Sequence, residues 1–184
     1  MKKRKQTYKL KVQTSPTMKV THNFIDQEDF KKLQGYMIGS FFPWYYNPMV
    51  VFDEDPKDYF QFTHFFYNGD NLLKSDFFEL LKPILDKIKP LTICRVKANL
   101  LTKTNKIIEH GFHTDFINDD RITTGVFYIN SNNGYTKFKN GQVHKSEANK
   151  FVEFNSTEMH TGSTCTDENI RVVINLNYIK GENK

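Results

Sequence analysis

The chain has 184 residues, 38% of them hydrophobic and 15% aromatic, with a net charge of +5. That length supports one domain with its own core, and the two cysteines, Cys94 and Cys165, lie far apart and form no CxxC pair, which suggests a reducing compartment and gives no support for a disulfide framework or a zinc knuckle. No apolar run approaches the ~20 residues of a membrane helix, and no apolar segment follows the basic start, so a soluble cytoplasmic protein is expected.

Residues 1–19 hold seven basic side chains and no acid, which leaves residues 20–184 at −2 once those seven are taken from +5. The charge therefore belongs to an N-terminal arm, and residues 20–184 are expected to form one mildly acidic domain. Such an arm can touch nucleic acid, but it also fits a solvated tail or a first edge strand. Lysines number 22 and arginines only four, Arg4, Arg95, Arg121 and Arg171, which makes each arginine worth attention.

After the arm, "FIDQEDFKKLQGYMIG" predicts a helix capped by Asp26, with acids in its first turn and Phe30 and Leu33 on one face. "FFPWYYNPMVVF" and the acidic "DEDPKD" read as irregular structure around a strand. "YFQFTHFFY" is strand-like, and "NGD" turns the chain. Ser75 should cap a second helix, "DFFELLKPILDKIK", with Phe77, Leu80, Leu81, Ile84 and Ile88 as its buried stripe and a bend or interruption at Pro83.

From about residue 91 the pattern becomes short strands separated by Asn, Gly, Asp and Ser: "TICRVKANLL", "KIIEHGFHTDF", "ITTGVFYIN", "GYTKFKN", "QVHKSEANKFVEF", "MHTGST" and "IRVVINLNYI". Strands preceded by helices suggest a mainly β sandwich or barrel with helices on one side. Ile170, Val172, Ile174, Leu176 and Tyr178 share one strand face, and Arg171, Val173, Asn175 and Asn177 the other. Val96, Ala98 and Leu100 likewise oppose Arg95, Lys97 and Asn99, while Thr124, Val126, Tyr128 and Asn130 share a face. The polar faces either meet solvent or line a cavity inside a barrel whose outside lies under helices.

"EHGFHTDF" carries the chemistry. On a strand, His113 and Asp115 project from one face, whereas His110 has the opposite parity and should point away unless the strand bulges at Gly111. HxD alone fits a polar strand face as well as a metal site. Downstream come His160 and, eleven residues later, Arg171. Two histidines and a carboxylate form the facial triad that holds Fe(II) and leaves adjacent positions open. A co-substrate with two carboxylates needs a cation for its far end, and arginine binds carboxylate through a planar fork. His22, His64, His110 and His144 have no such pattern and read as structural.

The order HxD, then His 45 residues on, then Arg eleven further, resembles the 2-oxoglutarate- and Fe(II)-dependent oxygenase superfamily. The similarity is closest to the prolyl-hydroxylase-like branch with its short phage and bacterial members, and covers about residues 91–180. "VFYIN" and "NNGYTKF" are similar to a strand and a glycine turn of that family. The resemblance implies a double-stranded β-helix, the jelly-roll or cupin-like barrel, with barrel core at about 91–180. It implies His113, Asp115 and His160 as iron ligands, Arg171 for the far carboxylate of 2-oxoglutarate, Tyr128 as a hydroxyl donor to it, and Asn99 near the keto-acid end. A departure is Val173, where many relatives carry a small hydroxyl residue. The implied activity is hydroxylation with Fe(II), 2-oxoglutarate and O2, supported by ascorbate, on a peptidyl proline, another protein side chain or a small molecule, in a cytoplasm that would be the host's for a phage protein. A nucleic-acid demethylase of this fold usually carries a second arginine where this chain has Asn177, and a non-catalytic barrel would not need the intact ligand set.

Overall fold

The structure, a computed structural model, describes residues 18–51, 59–117 and 119–181. The basic residues 1–17 and the acidic stretch 53–58, with the expectations placed on them, lie outside the described residues.

Helix α1 (Gln27–Ile38) begins where expected: the Asp26 carboxylate accepts from the Glu28 N–H at 2.8 Å, satisfying one of the free donors of the first turn. Phe30, Leu33 and Met37 make its buried face. The second helix is shorter than its apolar stripe suggested. A 3-10 turn (Phe78–Leu81) precedes α2 (Lys82–Ile88), and Pro83 stands in the first turn of α2. Proline fits there because its missing N–H would lack a partner anyway, so of a bend and an interruption the structure shows the interruption, with Pro83 at the start of a new helix. Ser75 caps the approach, its Oγ accepting from the Phe77 N–H at 3.1 Å.

The strands are β1 (Lys19–Thr21), β2 (Tyr45–Asn47), β3 (Gln61–Asn68), β4 (Leu73–Lys74), β5 (Pro90–Thr102), β6 (Ile122–Tyr128), β7 (Tyr135–Phe138), β8 (Val143–Lys145), β9 (Lys150–Asn155), β10 (His160–Gly162) and β11 (Ile170–Lys180). The larger antiparallel sheet runs β1-β9-β6-β11-β5-β3-β2, with β4 beside β3; the smaller runs β10-β7-β8. Two facing antiparallel sheets of this kind are a jelly-roll, the double-stranded β-helix. The sheet reaches outside the expected 91–180 core: β3 lies directly against β5, and β1, which takes in Lys19 from the end of the basic stretch, pairs with β9.

Strand parity sorts the two faces of the larger sheet. Val96, Ala98 and Leu100 of β5, Phe127 of β6 and Val172, Ile174, Leu176 and Tyr178 of β11 join Phe30, Leu33, Met37, Leu81 and Ile84 from the helical side in one apolar core. Phe24 stacks on Phe151 there at 4.2 Å between ring centres. Each large side chain so buried contributes about 1.5–3 kcal/mol. The opposite face meets the smaller sheet around Val126, Tyr128, Phe138, Val152, Phe154 and Val173. The polar residues of that inner face line a cavity rather than solvent.

Two expected strands differ. "QVHKSEANKFVEF" is divided into β8 and β9, which belong to different sheets. The chain crosses over at Asn149, which takes a left-handed backbone (φ 61°) and ties to the backbone of Ile25 through both ends of its amide. "KIIEHGFHTDF" is not a regular strand: isolated bridges tie His113 to His160 of β10 and Glu109 to Ser163 just beyond it.

Candidate functional site

Alternate residues of β5, β6 and β11 face inward, and strand register sets them in rows. Arg95, Asn177 and Thr124 share one row; Lys97, Asn175 and Val126 the next; Asn99, Val173 and Tyr128 the third; Leu101 and Arg171 the fourth. The cavity between the sheets has a volume of about 320 Å³ and spans these rows, with His110, His113, Asp115 and His160 closing it from the other side.

His113 and His160 face each other across a two-way backbone pair, each N–H donating to the other's carbonyl at 2.9 Å. Their ring centres lie 4.6 Å apart. One ligand atom from each of His113, Asp115 and His160 falls within 4.8 Å of the other two. Both rings are oriented by a main-chain carbonyl: Nδ1 of His160 lies 2.9 Å from the Glu158 oxygen and Nδ1 of His113 lies 3.2 Å from the Gly111 oxygen. A carbonyl only accepts, so each Nδ1 must carry a proton, which in a neutral imidazole leaves Nε2 with the lone pair. Such carbonyl contacts orient metal-ligating histidines. Burial, then the neighbouring His160, pushes the His113 imidazole below its ordinary value, which keeps it neutral.

Asp115 is held as a carboxylate. Burial alone would raise its pKa, but His160, Arg95 and hydrogen bonds from Asn177 and Thr124 outweigh it and hold the group below the usual range. Nη2 of Arg95 donates to Oδ1 at 2.9 Å, while Oγ1 of Thr124 and Nδ2 of Asn177 donate to Oδ2 at 2.8 and 2.9 Å. Nε of Arg95 also donates to Oδ1 of Asn177 at 3.0 Å. The first row is thus one clamp on a single carboxylate.

At the other end, Arg171 is buried and has no acidic partner among the described residues. Its Nε donates to Oγ of Ser146 at 2.8 Å and its Nη2 to Oγ1 of Thr136 at 3.3 Å, and its guanidinium lies 5.9 Å from the Tyr128 ring centre. Burial pushes its pKa below the ordinary arginine value, as an unpaired buried cation requires. Gly134 makes room for this side chain: a Cβ there would meet Cδ of Arg171 at 2.6 Å. The "NNGYTKF" turn therefore needs its glycine to let the arginine pass.

Tyr128 differs from expectation. It is fully buried behind Thr136, and its hydroxyl donates to Oγ1 of Thr136 at 2.9 Å; Thr136, and not Tyr128, lines the cavity. Oγ1 of Thr136 accepts from both Tyr128 and Arg171, which uses both its lone pairs and leaves its own hydrogen to give. Asn99 lines the cavity as expected, and its buried Oδ1 has no hydrogen-bond partner among the described residues; the same holds for Asn175. His110 does not point away. It lines the cavity too and meets Tyr59 edge-on at 5.5 Å, because the stretch around Gly111 lacks the regular alternation on which the parity argument depended. It stands outside the His113–Asp115–His160 group. His64 is structural, set between the Pro43 carbonyl and Ser75 at 2.9 Å each.

No family model matches the sequence, and no curated protein sequence matches it. Solved structures do match. The prolyl hydroxylase from Trichoplax adhaerens, in complex with a hypoxia-inducible-factor peptide fragment, superposes with a TM-score of 0.60 at 14% identity, over 89% of this chain and 83% of that one. The viral collagen prolyl hydroxylase of Paramecium bursaria Chlorella virus-1, in complex with 2-oxoglutarate, does so with 0.52 at 12% identity, over 90% and 96%. The epimerase SnoN, in complex with Fe3+, α-ketoglutarate and nogalamycin RO, gives 0.60 at 10% identity, over 89% and 78%. The chain therefore has the double-stranded β-helix fold of the 2-oxoglutarate- and Fe(II)-dependent oxygenases, with prolyl hydroxylases among its structural neighbours. Among the described residues no helix is long and apolar enough to cross a membrane.

Proposed function

We propose that the protein is a 2-oxoglutarate- and Fe(II)-dependent dioxygenase that hydroxylates a peptide or small-molecule substrate. The observation that carries this reading is the pairing of two features in one cavity: a His-Asp-His group with both Nδ1 atoms tied to carbonyls, and a buried arginine that has no acid partner among the described residues. The donor set suits Fe(II), with two imidazoles and one carboxylate leaving positions open. Bound there, iron(II) with 2-oxoglutarate and O2 supplies oxidative decarboxylation to succinate and CO2, coupled to insertion of one oxygen atom into a C–H bond.

The chain's own residues do the rest. His113, Asp115 and His160 hold one face of the metal, and Arg95, Thr124 and Asn177 keep Asp115 ionised and aimed. Arg171 forks onto the far carboxylate of 2-oxoglutarate, a geometry lysine cannot reproduce. Thr136 gives that carboxylate its free hydrogen, with Tyr128 holding Thr136 in place, so the tyrosine acts through the threonine. Asn99 meets the keto-acid end through its amide. Val126 and Val173 make the cavity wall apolar between the metal and Arg171.

Purified protein should bind one Fe(II), or Mn(II) as a redox-silent substitute, and release succinate from 2-oxoglutarate when supplied with iron, ascorbate and O2. A mass-spectrometric screen of peptides and metabolites for a +16 product then names the substrate. Absence of both metal binding and succinate release in folded protein refutes the reading.

A further inference from the structure

Among the described residues lining the cavity, three cations, Arg95, Lys97 and Arg171, stand against one carboxylate, Asp115. Arg95 is matched to Asp115 by an ion pair at 2.9 Å. On the oxygenase reading, on which this inference rests, Arg171 is matched to the far carboxylate of 2-oxoglutarate. Lys97 has no such match: it is half-buried, Asp115 attracts it only from beyond ion-pair distance, and among the described residues no acid or hydrogen-bond acceptor holds its Nζ. Its ammonium lies 5.7 Å from the Phe65 ring centre. Burial, then Arg95, pushes its pKa down to about 8.

A lysine in that position is poorly compensated. A cation–π contact at 5.7 Å offsets little of the cost of burying a charge that has no ion-pair partner among the described residues, and an apolar side chain of similar length would pack there at less cost. Loading the site does not relieve the imbalance, since Fe(II) and the 2-oxoglutarate dianion cancel each other and leave the surplus of positive charge unchanged. Nor is Lys97 level with the co-substrate's far end. It pairs with Asn175, whereas Arg171 pairs with Leu101, four residues along β5. At the rise of a β-strand that is roughly 13 Å. The four C–C bonds between the carboxylate carbons of 2-oxoglutarate span at most about 6 Å. Lys97 instead shares its row with Val126 and Asn175, one row from the Asp115 clamp. We propose that Lys97, with Arg95 beside it, receives an anionic group of the primary substrate, a carboxylate or a phosphate, and so selects acidic substrates.

The test is equilibrium binding, read by NMR, to protein saturated with Zn(II) and 2-oxoglutarate. The probes are N-acetylglycine, inorganic phosphate and the neutral N-acetylglycinamide. The anions should bind at least tenfold more tightly than the amide. Lys97→Met should erase that difference, Lys97→Arg should keep it, and both should retain the wild-type affinities for Zn(II) and 2-oxoglutarate. Equal binding of anions and amide to wild type, or a preference that survives Lys97→Met, overturns the proposal. A tenfold weaker grip on 2-oxoglutarate in Lys97→Met overturns it differently, by assigning the lysine to the co-substrate. Should Lys97→Met not fold, Lys97→Gln is read by the same criteria. A wild type that takes up neither Zn(II) nor 2-oxoglutarate refutes the oxygenase reading instead, and the same titration of metal-free protein then still decides whether Lys97 binds anions.

Discussion

Gly134 sets the position of Arg171, and Gly134→Ala tests whether that position matters. A methyl group there would lie 2.6 Å from Cδ of Arg171, 2.7 Å from the Thr164 carbonyl oxygen and 2.8 Å from Oδ1 of Asn132. The Thr164 oxygen is backbone, and Oδ1 of Asn132 already accepts from the Gly134 N–H at 3.0 Å. The arginine stem is the neighbour able to retreat, and in retreating it loses Ser146 at 2.8 Å and Thr136 at 3.3 Å. Overpacking by a methyl group costs about 1–3 kcal/mol. With tenfold per 1.4 kcal/mol, 2-oxoglutarate affinity should fall between about fivefold and a hundredfold if the whole strain reaches the co-substrate. The metal should be spared, because none of the three nearest atoms belongs to His113, Asp115 or His160. Calorimetric titration of 2-oxoglutarate into Mn(II)-loaded wild type and variant, with Mn(II) affinity measured separately, checks both halves. An unchanged 2-oxoglutarate affinity in folded variant, or an equal loss of Mn(II), refutes the reasoning.

Single alanine substitutions of His113, Asp115 and His160 should each abolish stoichiometric Mn(II) binding, whereas His110→Ala should retain it; metal analysis of dialysed protein reads this, and a dead His110→Ala would show the wrong ligand set. Asn177→Leu keeps the volume but removes the 2.9 Å donor to Oδ2 of Asp115, so thermal stability and Mn(II) affinity should together fall by about 1–3 kcal/mol, and unchanged values of both would remove Asn177 from the clamp. Metal-free protein should lose stability as pH falls. Burial lowers the pKa of His64, His113 and His144, so below about 6.5 the unfolded chain binds protons that the folded chain refuses. Asp115, held low, adds stability above about pH 3.9 that is lost as pH falls through its folded pKa. A melting temperature that rises from pH 7 to pH 5 would contradict the sign.

Much of the barrel was legible because parity is a local property. Alternation in "IRVVINLNYI" and "RVKANL" separates core from cavity without knowledge of any neighbour, and both strands obey it. It failed at His110 because the stretch before His113 pairs only at isolated bridges, and alternation holds only where a ladder keeps the chain extended. Pro83 allows a bend or an interruption for a related reason: the apolar stripe continues through it, so periodicity alone cannot tell a bent helix from the 3-10 turn joined to a new helix that the structure shows.

Register was the missing quantity at the site. Arg95, Asn177 and Thr124 each fell on the inward face by parity, but that they share a row, and that the row meets Asp115, depends on how β5, β11 and β6 slide against one another. Two of the arginines illustrate the point. Arg121 and Arg95 both pair with an aspartate, yet Arg121 takes Asp119 two residues away on the exposed surface, while Arg95 crosses from β5 to a loop twenty residues on and fixes a buried carboxylate. An exposed pair of the first kind is worth little, whereas removing one member of a buried pair strands the other. The same register explains Tyr128. Its strand places it beside Val173 in the Arg171 half of the cavity, but Thr136 from the smaller sheet steps in front of it and takes over the contact with the arginine. A threonine can do this because it offers one donor after filling both lone pairs, so a hydroxyl reaches the cavity wall from the opposite sheet where Val173 offers none.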